Sequence, residues 1–325
     1  MPGLGGTMHH GTISAQVAKG LKVLQSRIEK AEIPSSKIDE TLNIATWNIR
    51  DFGKTPRKEA SIHYIAEILG QFDLVAIAEL RDNLTDLSKV LTILGPYWHA
   101  VYSDYMTDSG GNRERMAYIF DKRAVTFTGL ASEVDALRKK NPATGEYETL
   151  FSWWRAPYIA SFRSGDFDFI VATVHIRWGK AEEDRINELK LLADWVDQKV
   201  KEKTWDDKDI ILVGDFNIPV IGDKLYQAVT SKGLKAPDIL LGTHGSNLEK
   251  NKRYDQILHL PRFTKCFTNF GGIVDFYAND HQSLFPGDTM TKLEFTYQMS
   301  DHLPLWAQII TDIDGEVIDQ IIEQG

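Results

Sequence analysis

Residues 211–219 constrain the fold more strongly than any other stretch, and they read Ile-Leu-Val-Gly-Asp-Phe-Asn-Ile-Pro. The leading apolar residues predict a buried strand, and Gly214 allows the sharp backbone turn that follows. The strand therefore presents the carboxylate of Asp215 and the carboxamide of Asn217 at one edge of a sheet. Because Asp and Asn side chains favour turns by hydrogen bonding to the backbone, this stretch alone indicates a strand followed by a turn.

The composition is that of an ordinary globular protein and excludes few functions. The 325 residues suffice for one large α/β domain or two small ones, and 42% of them are hydrophobic. The formal net charge of −9 argues against a protein that coats nucleic acid non-specifically. It remains compatible with an enzyme that cleaves phosphodiesters, because a local group of arginines can bind the substrate while acidic residues bind a cation.

Cys266 is the single cysteine, which excludes an intrachain disulfide and a cysteine-based zinc site. No apolar run approaches the roughly 20 residues that a membrane-spanning helix requires. The glycine-rich segment 1–11 lacks the pattern of a secretory signal, so we expect a cytoplasmic location. Secretion stays open, because removal of a signal peptide would leave the same kind of sequence.

The hydrophobic pattern divides the chain into three parts. Residues 1–40 hold a flexible segment and then an amphipathic helix over 13–31, which we expect to dock on the main body rather than to form an oligomer contact. Residues 41–312 form the main domain, and residues 313–325 form a C-terminal tail. The pattern gives no indication of the oligomeric state.

Predicted strands and helices alternate irregularly along the main domain. Adjacent strands in this order favour mixed sheets, and we predict an α/β fold with two packed mixed β-sheets flanked by helices. The longest predicted helix covers residues 181–203 and leads into a strand over 209–214. Two polar stretches, 131–148 and 278–298, are expected to be irregular, with a short helix as the alternative for the first.

Polar side chains stand at the beginnings or ends of six predicted strands. A lone Asp or His at a strand end is usually a turn former or a hydrogen-bonded core group. Six such places are harder to explain in that way, and ligands of open α/β sheets bind at strand ends, so we expect these side chains to converge. They are Asn48, Glu79, His175, Asp215 with Asn217, Asp255, and Asp301 with His302.

This set of side chains suits metal-assisted phosphoryl transfer. Mg²⁺ prefers oxygen ligands, often takes one or two carboxylates and keeps several waters. Two histidines supply acid and base functions near neutral pH, and carboxylates fix their tautomers. Arginine neutralises phosphate oxygens with bidentate geometry.

Seven short motifs occur in order along the chain. They are Trp47-Asn48-Ile49-Arg50, Ala78-Glu79-Leu80-Arg81, Arg155-Ala156-Pro157, Val174-His175, Gly214-Asp215-Phe216-Asn217, Tyr254-Asp255-Gln256-Ile257 and Ser300-Asp301-His302-Leu303-Pro304. They resemble the motifs of the endonuclease/exonuclease/phosphatase superfamily over about residues 41–311. Residues 42–53 and Glu114-Arg115 look most similar to deoxyribonuclease I. The resemblance implies a four-layered α/β sandwich and a divalent-metal-dependent phosphodiester hydrolase, in the first place an endonuclease that hydrolyses DNA by in-line attack of water.

The resemblance implies a metal site and a phosphate site. Glu79 corresponds to the principal metal ligand, and Asn48 and Asp301 complete or support that site. Mg²⁺ is the expected cofactor, with Mn²⁺ or Ca²⁺ as alternatives, and the expected partner is nucleic acid, in the first place DNA. The residues expected at the phosphate or at the DNA backbone are Arg155, Asn217, Arg50 and Arg81.

The same resemblance implies two catalytic histidines. His302 corresponds to one of them and is held by Asp255. His175 corresponds to the second and is oriented by Glu114. Asp215 positions or activates the attacking water. Which histidine acts as the acid and which as the base stays open.

Several alternatives remain at this stage. A phosphoesterase acting on a phosphorylated lipid, an inositol phosphate or another small molecule shares the same core. A catalytically silent nucleic-acid-binding module is less favoured, because every acid, amide and histidine of the set is present. Exposed arginines are commonly solvated, so for Arg50 and Arg81 a contact with DNA and simple exposure to solvent are equally favoured. Arg177 and Trp178 could stack on a base or sugar, although packing of Trp178 against the core is favoured.

Overall fold

A computed structural model describes residues 9–106, 112–179, 181–204, 208–242 and 245–313. The expected flexible segment at residues 1–8 and the expected tail from residue 314 onward lie outside the described residues. All that follows concerns the described ranges.

Thirteen strands are present in these ranges. They are β1 Thr41–Phe52, β2 Leu74–Leu80, β3 Trp98–Tyr102, β4 Arg115–Asp121, β5 Thr126–Glu133, β6 Leu137–Lys140, β7 Tyr147–Phe151, β8 Tyr158–Ser164, β9 Phe167–His175, β10 Ile210–Asp215, β11 Asp255–His259, β12 Phe267–Ile273 and β13 Leu305–Ile310. The predicted strand over 209–214 is therefore confirmed as β10.

Seven α-helices lie between the strands, with three short 3₁₀ helices at Glu29–Ala31, Pro261–Cys266 and Gln282–Leu284. The α-helices are α1 Ala15–Ile28, α2 Glu59–Leu69, α3 Thr85–Leu94, α4 Glu182–Lys201, α5 Lys224–Val229, α6 Asp238–Leu241 and α7 Lys292–Gln298. Within the described ranges, no helix combines the length and apolar character needed to cross a membrane.

The strands form two mixed sheets and one separate hairpin. Sheet A has the order β12-β13-β1-β2-β4-β3, sheet B has the order β11-β10-β9-β8-β5, and β6 pairs with β7. In sheet A the parallel pair is β1 with β2, and in sheet B it is β9 with β10. The prediction of two mixed sheets is confirmed.

Three apolar clusters stack the sheets and helices into four layers. One cluster fills the space between the sheets and includes Ile44 of β1 and Val213 of β10. A second lies between sheet A and helices α1 to α3, and a third between sheet B and helices α4 and α5. Strand β1 sends Ile44 to the first cluster and Trp47 to the second, because successive side chains of a strand point to opposite faces. The four-layered α/β sandwich is therefore confirmed.

Helix α1 docks on the main body, as its pattern predicts. Val17, Leu21 and Leu24 are buried in the cluster that covers sheet A. Arg27, in the last turn, donates hydrogen bonds to the carbonyl oxygens of Phe276 and Tyr277 at 2.8 and 3.0 Å. The apolar face of the helix is thus occupied within this chain.

Both polar stretches that were expected to be irregular contain regular structure. Residues 131–148 include β6 and the first two residues of β7, which pair in an exposed hairpin whose turn is closed by backbone hydrogen bonds of Asn141 with Glu146 and Gly145. No helix forms there, and the expected loop is limited to the residues between the strands. No apolar alternation marks β6 and β7 because neither face of the hairpin is buried. Residues 278–298 end in α7, which starts at a capping box formed by Thr291 and Glu294.

Gly214 is required by the close approach of β10 to β9. Its φ of +129° is a backbone conformation that residues with a side chain rarely adopt. A Cβ at this position would lie 2.1 Å from the carbonyl oxygen of Val174. That contact is with backbone, so the added atom could not be accommodated by a side-chain rotation. The absence of a side chain at Gly214 therefore allows Asp215 to sit directly beside the end of β9.

We predict that Gly214→Ala lowers the free energy of unfolding by at least about 2 kcal/mol, through backbone strain and displacement of β9. Urea unfolding followed by fluorescence measures the change. Gly222→Ala is the matched control, because Gly222 has a φ of +87° with no atom within 4 Å of an added Cβ. Equal losses in the two variants would show that the contact with β9 is unimportant.

Glu188 of α4 is a buried carboxylate behind the end of β9. It is 1% exposed, and its Oε1 accepts the backbone N–H of Trp154 at 3.2 Å. Burial raises the pKa of Glu188 to about 7, although hydrogen bonds from the backbone of Trp154 and Arg177 oppose the shift. The side chain thereby ties α4 to the backbone beside Arg155 and beyond His175.

We expect Glu188→Gln to remove part of the pH dependence of stability. The folded protein holds the Glu188 proton more tightly than the unfolded chain, so this contribution is complete below about pH 4.5 and is lost as pH rises through about 7. The loss amounts to up to about 3 kcal/mol. Unfolding free energies at pH 5 and pH 8 should differ less in Glu188→Gln than in the wild type or in Glu202→Gln, whose carboxylate is exposed. Identical differences in all three proteins would contradict the assignment.

Candidate active site

Strand register places three of the predicted side chains in one row across sheet B. Asp215 at the end of β10 pairs with His175 of β9 on one side. On the other side it pairs with Asp255, the first residue of β11. The row is buried, with Asp215 and Asp255 at 2% and 1% exposure. The expected convergence of these strand ends is therefore present.

His175 is held from behind by Glu114. Its Nδ1 lies 2.5 Å from Glu114 Oε1, and the same oxygen accepts the backbone N–H of Glu79 at 3.2 Å. The other oxygen of Glu114 lies 2.8 Å from Arg155 Nε. Since Nδ1 faces a carboxylate, the Nε2 atom of His175 is the one that points toward Asp215.

His302 has an equivalent arrangement on the opposite side. Its Nδ1 lies 2.7 Å from Asp255 Oδ2, which also accepts the hydroxyl of Ser246 at 2.6 Å. The backbone N–H of His302 donates to Ser300 Oγ at 3.0 Å, so the loop before β13 is fixed as well. Asp255 thus fixes the orientation of the His302 ring through its Nδ1 atom.

Both histidines converge on one oxygen. The Nε2 atoms of His175 and His302 lie 3.6 and 3.7 Å from Asp215 Oδ2. These separations are longer than a hydrogen bond, so each Nε2 can still bond to an atom placed near the carboxylate. Asn48 Nδ2 donates to the same oxygen at 3.1 Å. The arrangement gathers two imidazoles, a carboxylate and an amide around one point.

The charges of the cluster shift its protonation. Burial alone would lower the pKa of His302, but Asp255 and Asp215 outweigh it and raise that pKa well above its usual range. The pKa of His175 is raised as well, because Glu114 outweighs burial and the charge of Arg155. Burial raises the pKa of Asp215 against the lowering effect of the two histidines. The cluster therefore retains protons that isolated side chains would release.

Glu79 and Asn48 offer oxygen ligands beside this cluster. Glu79 has a left-handed backbone with φ of +63°, and the pairing of β2 with β4 shifts register there, which re-aims its side chain. Its carboxylate accepts Asn48 Nδ2 at 3.1 Å and the backbone N–H of Asp51 at 2.8 Å. Asn48 Oδ1 is buried without a hydrogen-bond partner among the described residues. An unpaired amide oxygen next to a carboxylate fits a hard divalent cation.

Two further groups bear on metal binding. Ligand atoms of Asp215, Asp255 and His302 all lie within 4.8 Å of one another, close enough to hold an ion. The Nδ1 of His302 is already bonded to Asp255, so this group is better suited to proton transfer than the pair of Glu79 and Asn48. Asp301 is 44% exposed and forms an ion pair with Arg50 at 3.3 Å, which directs its carboxylate to that arginine.

Asp215 and Asn217 form the turn that their residue types predict, and Asn217 makes a further hydrogen bond with its side chain. Asp215 Oδ1 accepts the backbone N–H of Asn217 at 2.9 Å, so the turn is an Asx turn. Asn217 has φ of +51°, and its Nδ2 donates to the carbonyl oxygen of Ile176 at 2.7 Å. One side-chain N–H of Asn217 is thereby used by the protein, and the second is left for another acceptor.

The three arginines expected at phosphate or DNA are all engaged with protein groups. Arg155 is buried behind His175 in its ion pair with Glu114. Arg50 contacts Asp301, Thr296 and the ring of Tyr297, whose centroid is 4.1 Å away. Arg81 forms an ion pair with Asp51. Contacts of these residues with a substrate stay predictions.

Sequence reasoning missed several residues that border the site. Arg185 of α4 donates to the carbonyl oxygen of Asn217 at 3.0 Å. Its separation of three residues from Glu188, which places both on one side of the predicted helix, could have drawn attention to the pair. Tyr254 lies 5.8 Å from His302, measured between ring centroids. The favoured interpretation of Trp178 is wrong: this side chain is 64% exposed, whereas Trp153 is 4% exposed and packs in the core.

Comparison with known proteins supports the relationship suggested by these motifs. Residues 45–276 match the model of the Endonuclease/Exonuclease/phosphatase family. A protein named deoxyribonuclease from Thioalkalivibrio sp. (strain K90mix) is 32% identical over 204 residues, 58% of this chain and 49% of that protein. Deoxyribonuclease-1 from Equus caballus is 32% identical over 186 residues, 54% of this chain and 61% of that protein. The chain therefore matches between about half and three fifths of the length of these relatives.

A solved structure shows the same fold. The mannosyl-6-phosphatase of Bacteroides thetaiotaomicron VPI-5482 aligns with 82% of this chain and 98% of its own, with a TM-score of 0.53 and 18% sequence identity. At this identity the likeness concerns the fold alone. The layered sheets, the ordered motifs and a family match over most of the chain agree: the protein belongs to the endonuclease/exonuclease/phosphatase family.

Proposed function

We propose that this protein is a divalent-metal-dependent phosphodiesterase and that its substrate is DNA, cleaved within the strand. Residues 41–312 would form the catalytic domain, with the N-terminal helix docked on it. Two relatives at 32% identity are named deoxyribonucleases, which favours DNA over other phosphoesters. The proposal joins that likeness to the chemistry of the side chains at the ends of β9, β10 and β11.

One observation carries the proposal. Two imidazoles, each backed by its own buried carboxylate, direct Nε2 atoms at a single oxygen of Asp215 from 3.6 and 3.7 Å. Hydrolysis of a phosphodiester needs a proton removed from water on one side of phosphorus and a proton delivered to the leaving oxygen on the other. Two histidines facing one carboxylate supply both functions from fixed positions.

The proposed reaction is in-line attack of water on the phosphorus atom. Asp215 orients the water. As the new oxygen–phosphorus bond forms, a proton of that water passes to Asp215 or to the adjacent imidazole. The imidazolium on the other side donates its Nε2 proton to the leaving oxygen as the old bond breaks. Asn217 directs its second side-chain N–H at the phosphate and stabilises charge that develops on the phosphate oxygens.

Glu79 and Asn48 would hold the cation, with Asp301 as an outer partner if Arg50 releases it. Mg²⁺ is the proposed ion, and Mn²⁺ or Ca²⁺ would occupy the same oxygen ligands. A divalent ion, when bound, polarises a phosphate oxygen and stabilises negative charge in the transition state. The orphan oxygen of Asn48 is the structural feature that motivates this placement.

We predict that His175→Ala and His302→Ala each lower turnover of plasmid DNA with Mg²⁺ by about 10²- to 10⁴-fold, because each variant removes one proton-transfer group. Nicking and linearisation of supercoiled plasmid on agarose gels provide the measurement. His99→Ala, at an exposed position on β3, is the control and should keep wild-type turnover. Near wild-type rates in both active-site variants would refute the two-histidine assignment.

The same proteins can be assayed on other phosphoesters to decide the substrate class. Release from RNA, sphingomyelin and an inositol phosphate is measured beside plasmid cleavage, all with Mg²⁺. Faster turnover of a small phosphoester, lost in His175→Ala, would replace DNA by that substrate while keeping the chemistry. DNA binding without any cleavage in Mg²⁺, Mn²⁺ or Ca²⁺ would indicate a silent binding module.

We expect Glu79→Gln to reduce the response to metal. Replacing one carboxylate oxygen by an amide removes a negative charge from the proposed ligand, so the Mg²⁺ concentration at half-maximal activity should rise by about 10- to 100-fold. Titration of the chelator-treated enzyme with Mg²⁺ gives this value. Glu202→Gln, remote in sequence and exposed at the end of α4, should respond like the wild type. An unchanged half-maximal concentration in Glu79→Gln would place the ion elsewhere.

A further inference from the structure

An exposed tryptophan lies beside the proposed reaction centre. Trp178 follows His175 by three residues, and 64% of its side chain is exposed. Its ring packs edge-on against Tyr254, with centroids 5.6 Å apart and planes at 83°. Tyr254 in turn lies 5.8 Å from the His302 ring. The exposed ring of Trp178 therefore contacts Tyr254, and Tyr254 contacts the proposed catalytic imidazole of His302.

Positive charge adjoins this face. The guanidinium of Arg185 lies 5.6 Å from the centroid of Trp178. Arg185 also donates to the carbonyl oxygen of Asn217, which links the aromatic face to the turn that carries Asp215. Its Nε is buried and has no hydrogen-bond partner among the described residues. In a chain with a net charge of −9, such a cation is a local feature suited to an anionic substrate.

Packing does not account for the position of Trp178. Large aromatic side chains contribute most to stability when buried, and the neighbouring Trp153 is buried at 4% exposure, with its Nε1 donating to the carbonyl oxygen of Asp135 at 3.1 Å. Within the described ranges, the Trp178 ring has an edge contact with Tyr254 and the guanidinium of Arg185 near it. The position of Trp178 beside the polar site leaves an exposed π-face on which a base can stack.

We propose that Trp178 is a stacking subsite for the nucleobase next to the scissile phosphodiester, and that the enzyme therefore prefers single-stranded nucleic acid or unpaired ends to intact duplex. A base can lie on the indole only after it has left the stack of a duplex. Stacking on aromatic side chains is tolerant of sequence, so no base preference is implied. This inference rests on the proposed phosphodiesterase function and adds the strand preference to it.

The experiment compares three oligonucleotides of the same length with Mg²⁺. One is a single strand, the second is the same sequence in a hairpin duplex, and the third is a single strand with a tract of base-free tetrahydrofuran residues. The wild type should cleave the single strand with a kcat/KM at least about 10-fold above that for the duplex, and Trp178→Ala should lose about 10- to 100-fold on the single strand, mainly through KM. Trp178→Phe should restore most of the loss.

Controls separate base stacking from other effects. The base-free tract should be cleaved at the same rate by the wild type and by Trp178→Ala, because neither can stack a base there. Phe270→Ala removes a half-exposed ring from β12 and should leave every rate unchanged. Equal losses of Trp178→Ala on all three substrates, or no loss on the single strand, would overturn the subsite. Failure of the wild type to cleave any nucleic acid would instead overturn the proposed function, and the subsite with it.

Discussion

The approach of two imidazole nitrogens to one carboxylate oxygen is the interaction on which the site depends. The pKa values of His175 and His302 are raised because carboxylates surround both rings. Two imidazolium groups that both approach one oxygen would repel each other if Asp215 did not lie between them. Asp215 is buried and would be costly to ionise without the two histidines. Glu114 and Asp255 complete the balance from behind. The five side chains therefore form one electrostatic unit, in which each charge is compensated by the next.

The backbone delivers this unit through local departures from regular structure. Gly214 lets β10 come so close to β9 that Asp215 stands beside His175, and the register of β11 places Asp255 on the other side. Glu79 and Asn217 have left-handed backbones, a conformation that costs free energy for residues with side chains. The surrounding sheets are extensively buried and hydrogen bonded, which is what allows such strain to persist at the strand ends.

The layers and strand ends could be predicted from sequence because burial leaves a periodic pattern, and the site residues could be grouped because their motifs occur in family order. The hairpin of β6 and β7 could not, since exposed strands have no apolar alternation. Helix α7 was hidden by its polar composition, and with it the contact of Thr296 with Arg50. Exposure of Trp178 was also beyond the sequence, because the number of neighbours around a loop side chain is set by tertiary packing. The ion pairs of Arg155 with Glu114 and of Arg81 with Asp51 could not be predicted either, because tertiary packing brings these distant segments together.

Asn48 connects the two halves of the proposed site across the space between the two sheets. It lies on β1 of sheet A and donates one N–H toward Glu79, also in sheet A, and the other toward Asp215 in sheet B. The proposed ion position thus belongs to one sheet, and the row of His175, Asp215 and Asp255 belongs to the other. Apolar packing between the sheets sets their separation. Because the proposed reaction needs its groups placed within fractions of an ångström, that packing would serve the proposed catalysis as well as the stability of the fold.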